Sequence, residues 1–401
     1  MRERAKAWCL CLARLAALGM ATIPSYAVVA APASFTHPGM EVGLEKLEYV
    51  KAHLSQEPWK SAYEQMLQDE RADLSYRPAP WAVVECGPYS KPNHGCKDET
   101  RDSQAAYTQA LLWFLSGDQR YAANAKRIMN VWAATLVGGH TNKNAPLQAA
   151  WSAQAFARAA EIISHTGGGW SYRDRNAFSE FLRLQYLPSV ERVVSGTNSC
   201  YNGNWHASSI QAMMNISIFT EDRVLFERAT VLWRAFVPSY IYLSSDGEYP
   251  RPSPWCARAA EPDARWHRPS AFVDGLTQET CRDFEHTAYG LAAIINVAES
   301  ARLQGVNLYQ DKTSQAERRI SKAMELHSAQ QNENAGSASL CRAYAGFRGD
   351  TRGTFDTGFN FYSSRSGARL PETRAFIKRN RSARGNFHYL WESLMSAGPE
   401  R

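Results

Sequence analysis

No Cys-x-x-Cys pair occurs anywhere in this 401-residue chain, so the ligand spacing of structural zinc sites is missing. No run of Lys and Arg marks a nucleic-acid surface. Past the N-terminus no apolar stretch is long enough to span a bilayer. Polar–apolar alternation, the mark of half-buried strands, is weak, and no exact repeat is visible. With 44% hydrophobic and 21% charged residues, collagen-like, coiled-coil and disordered chains are excluded. What remains is a globular chain for which neither a nucleic-acid nor a membrane partner is expected.

The N-terminus reads as an export signal over residues 1–30. Arg2, Arg4 and Lys6 precede an apolar stretch from Trp8 to Ala21, and Ala27, Ala30 and Ala33 offer small-residue cleavage points. The expected product is residues 31–401 as one domain, soluble in the periplasm or secreted. It keeps 41 basic against 38 acidic side chains. That balance suits a polyanionic substrate, where local charge matters more than the total. Six cysteines remain: Cys86, Cys96, Cys200, Cys256, Cys281 and Cys341. An even number in an oxidising compartment favours disulfides. Cys86 and Cys96 flank the turn-rich loop Gly87-Pro-Tyr-Ser-Lys-Pro-Asn-His-Gly95 and form the expected pair; the other four are left open. The 12 Trp and 18 Tyr suit either a carbohydrate groove or a large helical core.

Apolar residues at three- and four-residue spacing predict helices over 44–54, 58–70, 103–116, 118–136, 146–165, 174–186, 205–219, 221–235, 283–304 and 312–329. Stops such as Ser116-Gly-Asp118 and Thr220-Glu-Asp222 pair them into hairpins with short turns. The fold class expected is all-α. A long loop is expected over 77–97, and irregular stretches rich in Pro, Gly, Arg and aromatics over 236–281 and 335–372. Loops of that length in a compact domain usually serve function.

Three segments carry candidate chemistry. In Cys200-Tyr-Asn-Gly-Asn-Trp-His206, Asn202 and Asn204 suit a turn or helix cap, while Trp205 and His206 are free to face a cleft. In Gln278-Glu-Thr-Cys-Arg-Asp-Phe-Glu-His-Thr-Ala-Tyr289, helical spacing places Arg282, His286 and Tyr289 on one face. A charged helix end with Arg–acid pairs and a packed Tyr is the competing reading. Between two helices, Gly139-His-Thr-Asn-Lys-Asn-Ala-Pro-Leu-Gln148 offers His140, Asn144 and Gln148, with Trp151 following, to sugar hydroxyls or a carboxylate. An ordinary inter-helix loop explains the same residues.

These residue types suit β-elimination on a uronate. The C6 carboxylate must be neutralised so that the C5 proton becomes acidic. A base must take that proton, and an acid must protonate the departing O4. Arg282 binds a carboxylate by its fork, with an Asn amide beside it. His206 is a candidate base, and Tyr289 a candidate acid, or base and acid together. The scheme requires no metal, and no cofactor is expected.

The order of motifs along the chain resembles the alginate-lyase superfamily of polysaccharide lyases. It is carried by His37-Pro-Gly39, Pro58-Trp-Lys60, Cys86-Gly-Pro-Tyr-Ser90, Ala145-Pro-Leu-Gln-Ala-Ala-Trp151, Asn202-Gly-Asn-Trp205, Glu279-Thr-Cys-Arg-Asp283 and His286-Thr-x-x-Gly290. The resemblance implies an (α/α) toroid of five to seven hairpins, closed or incomplete, and lyase activity on alginate or a related polyuronate such as glucuronan. It also implies a site of an Asn–His pair, an Arg and a Tyr. Arg282 and Tyr289 keep the family's seven-residue interval. The Asn–His pair is adjacent in the family, whereas Trp205 separates Asn204 from His206 here. His286 is then a rival base or a substrate-binding residue. Two other functions are weighed: a glycoside hydrolase using Glu279 and Asp283 as its carboxylate pair, and a non-catalytic polyuronate-binding protein.

Overall fold

The computed structural model describes residues 33–196, 199–256, 262–332, 340–342, 349–381 and 384–398; the export signal expected over 1–30 lies outside them. Helices dominate. In chain order they are α1 (Leu44–Ala52), α2 (Trp59–Leu67), α3 (Cys96–Ser116), α4 (Gln119–Thr135), α5 (Ala145–His165), α6 (Tyr172–Phe181), α7 (Leu187–Glu191), α8 (Gly203–Phe219) and α9 (Arg223–Tyr240). Then come α10 (Pro262–Arg265), α11 (Phe284–Leu303), α12 (Ala316–Asn332), α13 (Asp356–Phe359), α14 (Pro371–Arg379) and α15 (Glu392–Ser396). Five short strands complete the set. β1 (Gly39–Met40) pairs antiparallel with β2 (Val42–Gly43). β3 (Val84–Cys86) lies between β4 (Asn93–His94), antiparallel, and β5 (His140–Thr141), parallel.

α3, α5, α8 and α11 form an inner ring, each packed on the next. Their composition explains why. Every residue of α8 except Trp205 is buried, and α5 buries alanines at 145, 149, 150, 153, 155, 157, 159 and 160. A helix buried on all sides needs small side chains where neighbours approach closely. α4 and α9 instead bury one stripe and lie outside the ring. α13, α15 and α1 close the gap between α11 and α3. This is the (α/α) toroid that the helical periodicity and the resemblance predict.

The turns between paired helices follow local chemistry. Gly117 ends α3 with φ +75°, the left-handed conformation that favours glycine, and returns its N–H to the Trp113 carbonyl. Asp118, Ser171 and Asp222 then cap α4, α6 and α9 through their side chains. Several boundaries differ from the sequence reading: α9 runs on to Tyr240, into the stretch over 236–281 expected to be irregular, which also holds α10. α3 begins at Cys96, well before position 103, so the loop over 77–97 is shorter and carries β3 and β4. The stretch over 335–372 contains α13 and a π-helical turn, Asn360–Arg365, where described.

All six cysteines outside the N-terminal segment pair. Cys86–Cys96 is as expected, and Cys200–Cys256 and Cys281–Cys341 are added by the structure. The latter two tie the irregular stretches to the segments before α8 and α11. Each closes a loop of 56 or 60 residues, which in the chain-entropy account contributes roughly 4 kcal/mol. Cys281→Ser with Cys341→Ser is therefore expected to lower stability by about that amount. Denaturant unfolding of the oxidised protein and the double variant checks this.

Candidate active site

The N-terminal ends of α5, α8 and α11 converge at one mouth of the ring. The Trp151 ring on α5 meets the Tyr289 ring on α11 edge to face, centroids 5.6 Å apart. At α8, the Asn204 N–H and side-chain amide donate to the two oxygens of Glu279, at 2.7 and 2.6 Å. Glu279 also accepts from Arg282 Nη1 at 2.8 Å and from the Tyr240 hydroxyl at 3.4 Å. The Glu279 carboxyl is fully buried. Burial raises its pKa above the ordinary carboxylate value, with Arg282 opposing. One buried acid thus holds both Asn204 and Arg282.

Arg282 does not lie on the helix, as its spacing from His286 and Tyr289 suggested. It sits in the turn before α11, which begins at Phe284 with Asp283 as its N-cap. Asp283 accepts from the His286 N–H at 2.7 Å and from His286 Nδ1 at 2.7 Å. Burial opposes ionisation of Asp283, but these bonds prevail and hold its pKa below the usual value. With Nδ1–H donating to a carboxylate, the neutral imidazole of His286 keeps Nε2 as its basic nitrogen. One turn on, the Tyr289 hydroxyl donates to Glu285 at 2.8 Å. The His286 and Tyr289 ring centroids are 5.9 Å apart.

Trp151 and Phe387 stack at 4.4 Å and both pack on Tyr289. On their other side they line a cleft of about 360 Å³, whose charged lining is Arg71, Lys97, Arg101 and Arg384 against Glu70. Gln148 reaches the cleft wall as well. Its amide is held by Glu99 at 2.8 Å and by the Cys96 carbonyl at 3.0 Å.

Several residues singled out from the sequence stand elsewhere. His206 is wholly buried and stacked on Trp255 with centroids 4.7 Å apart, its Nε2 against the Ser199 carbonyl at 3.0 Å. Burial and then Arg265 push its pKa down to about 3. His140 is buried with both ring nitrogens engaged, by Glu99 at 2.8 Å and the Gln185 carbonyl at 3.0 Å. It satisfies a buried acid and faces no cleft. Asn204 is fully buried behind Arg282. Asn202 and Asn144 occupy the N-cap positions of α8 and α5 without a capping side-chain bond. Trp205 is half-buried and stacks on Tyr201 at 4.7 Å. The carboxylates weighed for hydrolysis, Glu279 and Asp283, are both committed to internal hydrogen bonds.

Other neighbours were not singled out from sequence. Phe387, His388 and Tyr389 reach Tyr289 from the C-terminal segment, and the charges of Arg282, Asp283 and His286 act on His267. The dense Asn386-Phe-His-Tyr389 run was the available signal, but nothing local says that it crosses the ring.

The buried histidines give a pH prediction. Burial holds His206 and His388 down to about 3 and His327 to about 4, against 6.5 for a free side chain. Between those values the unfolded chain binds protons that the folded chain does not. The histidine contribution to stability is therefore full above about pH 6.5 and is lost as pH falls toward 4, by at most about 1.4 kcal/mol per pH unit per histidine. The buried Asp356, Glu279 and Glu392, whose pKa burial raises, oppose it. Urea unfolding at pH 7, 6 and 5 checks the slope.

Among solved structures the chain is similar to an alginate lyase from Bacteroides ovatus, at 14% identity and TM-score 0.62, covering 90% of this chain and 100% of that one. It is similar to alginate lyase A1-III from Sphingomonas species A1, at 17% identity and TM-score 0.61, covering 92% and 98%. A tetrasaccharide complex of an A1-III variant matches at 16% identity and TM-score 0.63, covering 92% and 98%. At these identities the likeness speaks for the fold. No curated protein matches. The family model described as alginate lyase matches residues 60–336. With well over half of its length in that match, the chain belongs to the alginate lyase family and is a polysaccharide lyase.

Proposed function

We propose that this lyase cleaves alginate or a related polyuronate by β-elimination at the mouth formed by α5, α8 and α11. The observation that carries the reading is Glu279, a buried acid that fixes Arg282 beside the His286–Asp283 pair and Tyr289. Arg282 neutralises the C6 carboxylate, which delocalises the charge that develops as C5 loses its proton. Asn204 positions Arg282 through the shared Glu279. His286, aligned by Asp283, takes the C5 proton on Nε2, and Tyr289 protonates O4 as the C4–O4 bond breaks. His206 is assigned no role as base, since its ring is sealed in the core.

The Arg- and Lys-lined cleft beside Trp151, where Asp69 pairs with Arg71 and Arg384 and Asp98 with Arg101, supports an acidic chain that shares those cations and meets Lys97. The N-terminal ends of the inner helices add partial positive charge at the same mouth. Solved complexes of A1-III variants hold a tetrasaccharide, which supports an oligosaccharide ligand here. The three disulfides fit a periplasmic or secreted location, and no helix among the described residues is long and apolar enough to cross a membrane. Incubation with alginate, glucuronan and hyaluronan, followed by ultraviolet absorbance of the C4=C5 enol ether, tests the reading. Absorbance must rise on at least one polyuronate. Reducing ends without absorbance would point to hydrolysis, and binding without product to a non-catalytic groove.

A further inference from the structure

A second cluster lies at the opposite end of α5. His37, in the arm before β1, places Nδ1 2.8 Å from Glu161 Oε1. His165, one turn after Glu161, has Nε2 3.8 Å from Glu161 Oε2. The two imidazoles stack, with centroids 4.1 Å apart and planes 8° from parallel. One ligand atom from each of the three residues lies within 4.8 Å of the others. From Trp151 to His165 is about 20 Å along the helix, so this cluster is remote from the elimination site.

Its internal hydrogen bonding is incomplete. Glu161 Oε1 accepts from His37 and from the Gly39 N–H at 2.9 Å. Glu161 is 1% exposed, yet its Oε2 is buried without a hydrogen-bond partner, as is His37 Nε2. An orphaned oxygen on a buried carboxylate is unfavourable unless something fills its place. The 3.8 Å gap to His165 is too long for a hydrogen bond. It is close to the roughly 3.4 Å that separates two ligands on one tetrahedral zinc ion.

We infer that His37, Glu161 and His165 form a binding site for a divalent cation of the zinc class. Two neutral imidazoles and a carboxylate are a donor set zinc takes, with the fourth position left to water. Because the two rings lie parallel, one turns out of the stack so that both in-plane lone pairs meet on the ion. Glu221, after α8, has an oxygen 3.9 Å from His37 Nε2, on the other side of the ring from Nδ1, so it orients the imidazole and balances charge and does not ligate the ion. The cation replaces the proton shared by His37 and Glu161 and gives Oε2 a partner. Its effect is to clasp the arm carrying β1 to α5 and the α8–α9 turn. The ligands come from positions 37, 161 and 165, so no short sequence motif announces them.

The test uses the metal-stripped purified full chain, with His37→Gln and His165→Gln. Zinc chloride titrated into wild type should bind one equivalent that both variants lose, and should raise Tm by several degrees in wild type alone. Cobalt chloride should give the visible d–d absorption of four-coordinate cobalt, displaced by zinc. Lyase activity and the circular dichroism of His165→Gln should match wild type, which separates loss of the site from misfolding. No bound equivalent, or zinc binding that survives in the two variants, would overturn the assignment and leave a plain His37–Glu161 hydrogen bond.

Discussion

Tyr289→Phe is expected to lower kcat on the preferred polyuronate by ~10²–10⁴-fold, with KM changed only a few-fold. The substitution removes one hydroxyl and keeps the ring. Trp151, Phe387 and Tyr389 still pack against it, so the mouth of the ring keeps its shape. What is lost is the proton delivered to O4 at the moment the glycosidic bond breaks. Glu285, the acceptor of that hydroxyl, is partly exposed and water replaces the bond. Initial rates of absorbance gain on wild type and variant decide the matter. Activity within a few-fold of wild type would remove Tyr289 from the proton path.

Arg282→Ala should lower kcat/KM by ~10²–10³-fold, the scale of removing one preorganised charge-stabilising donor. The C5 proton is acidic only when the neighbouring carboxylate is neutralised, so the effect falls on the transition state as well as on binding. The alanine variant also strips Glu279 of its cation and thereby loses stability. Arg282→Lys separates the two effects. It keeps a charge near Glu279 but gives up the planar fork that spans a carboxylate. Thermal unfolding of the lysine variant should approach wild type while kcat/KM stays depressed. A lysine variant with near wild-type kcat/KM would mean that Arg282 acts as a point charge and not by bidentate recognition.

Much of the architecture was legible because helical periodicity is local. α4, α5, α8 and α11 fall within a few residues of the spans read from apolar spacing, and Gly117 and the capping Asp118 and Asp222 mark their boundaries. The start of α11 was read one residue early because Asp283 resembles a helical residue in sequence but caps the helix. Such caps are decided by a single side-chain bond. Burial was harder to read. His206 follows a turn and precedes an apolar run, a pattern that fits an exposed catalytic base. It is enclosed because Trp255, from a distant loop tied down by Cys200–Cys256, lies flat on its ring.

The sequence by itself determined the helical hairpins, the Cys86–Cys96 pair and the segment from Glu279 to Tyr289 as the place to look for chemistry. Periodicity, turn residues and the seven-residue interval from Arg282 to Tyr289 are all short-range properties. Only the tertiary structure decided which polar residues meet. It joined Asn204 to Arg282 through Glu279 and turned His140 toward Glu99. It also brought Phe387 against Trp151 and drew His37 to Glu161. Each of those contacts except Arg282–Glu279 spans tens of residues or more. A buried polar group must find its partner wherever the fold supplies one, at whatever distance along the chain.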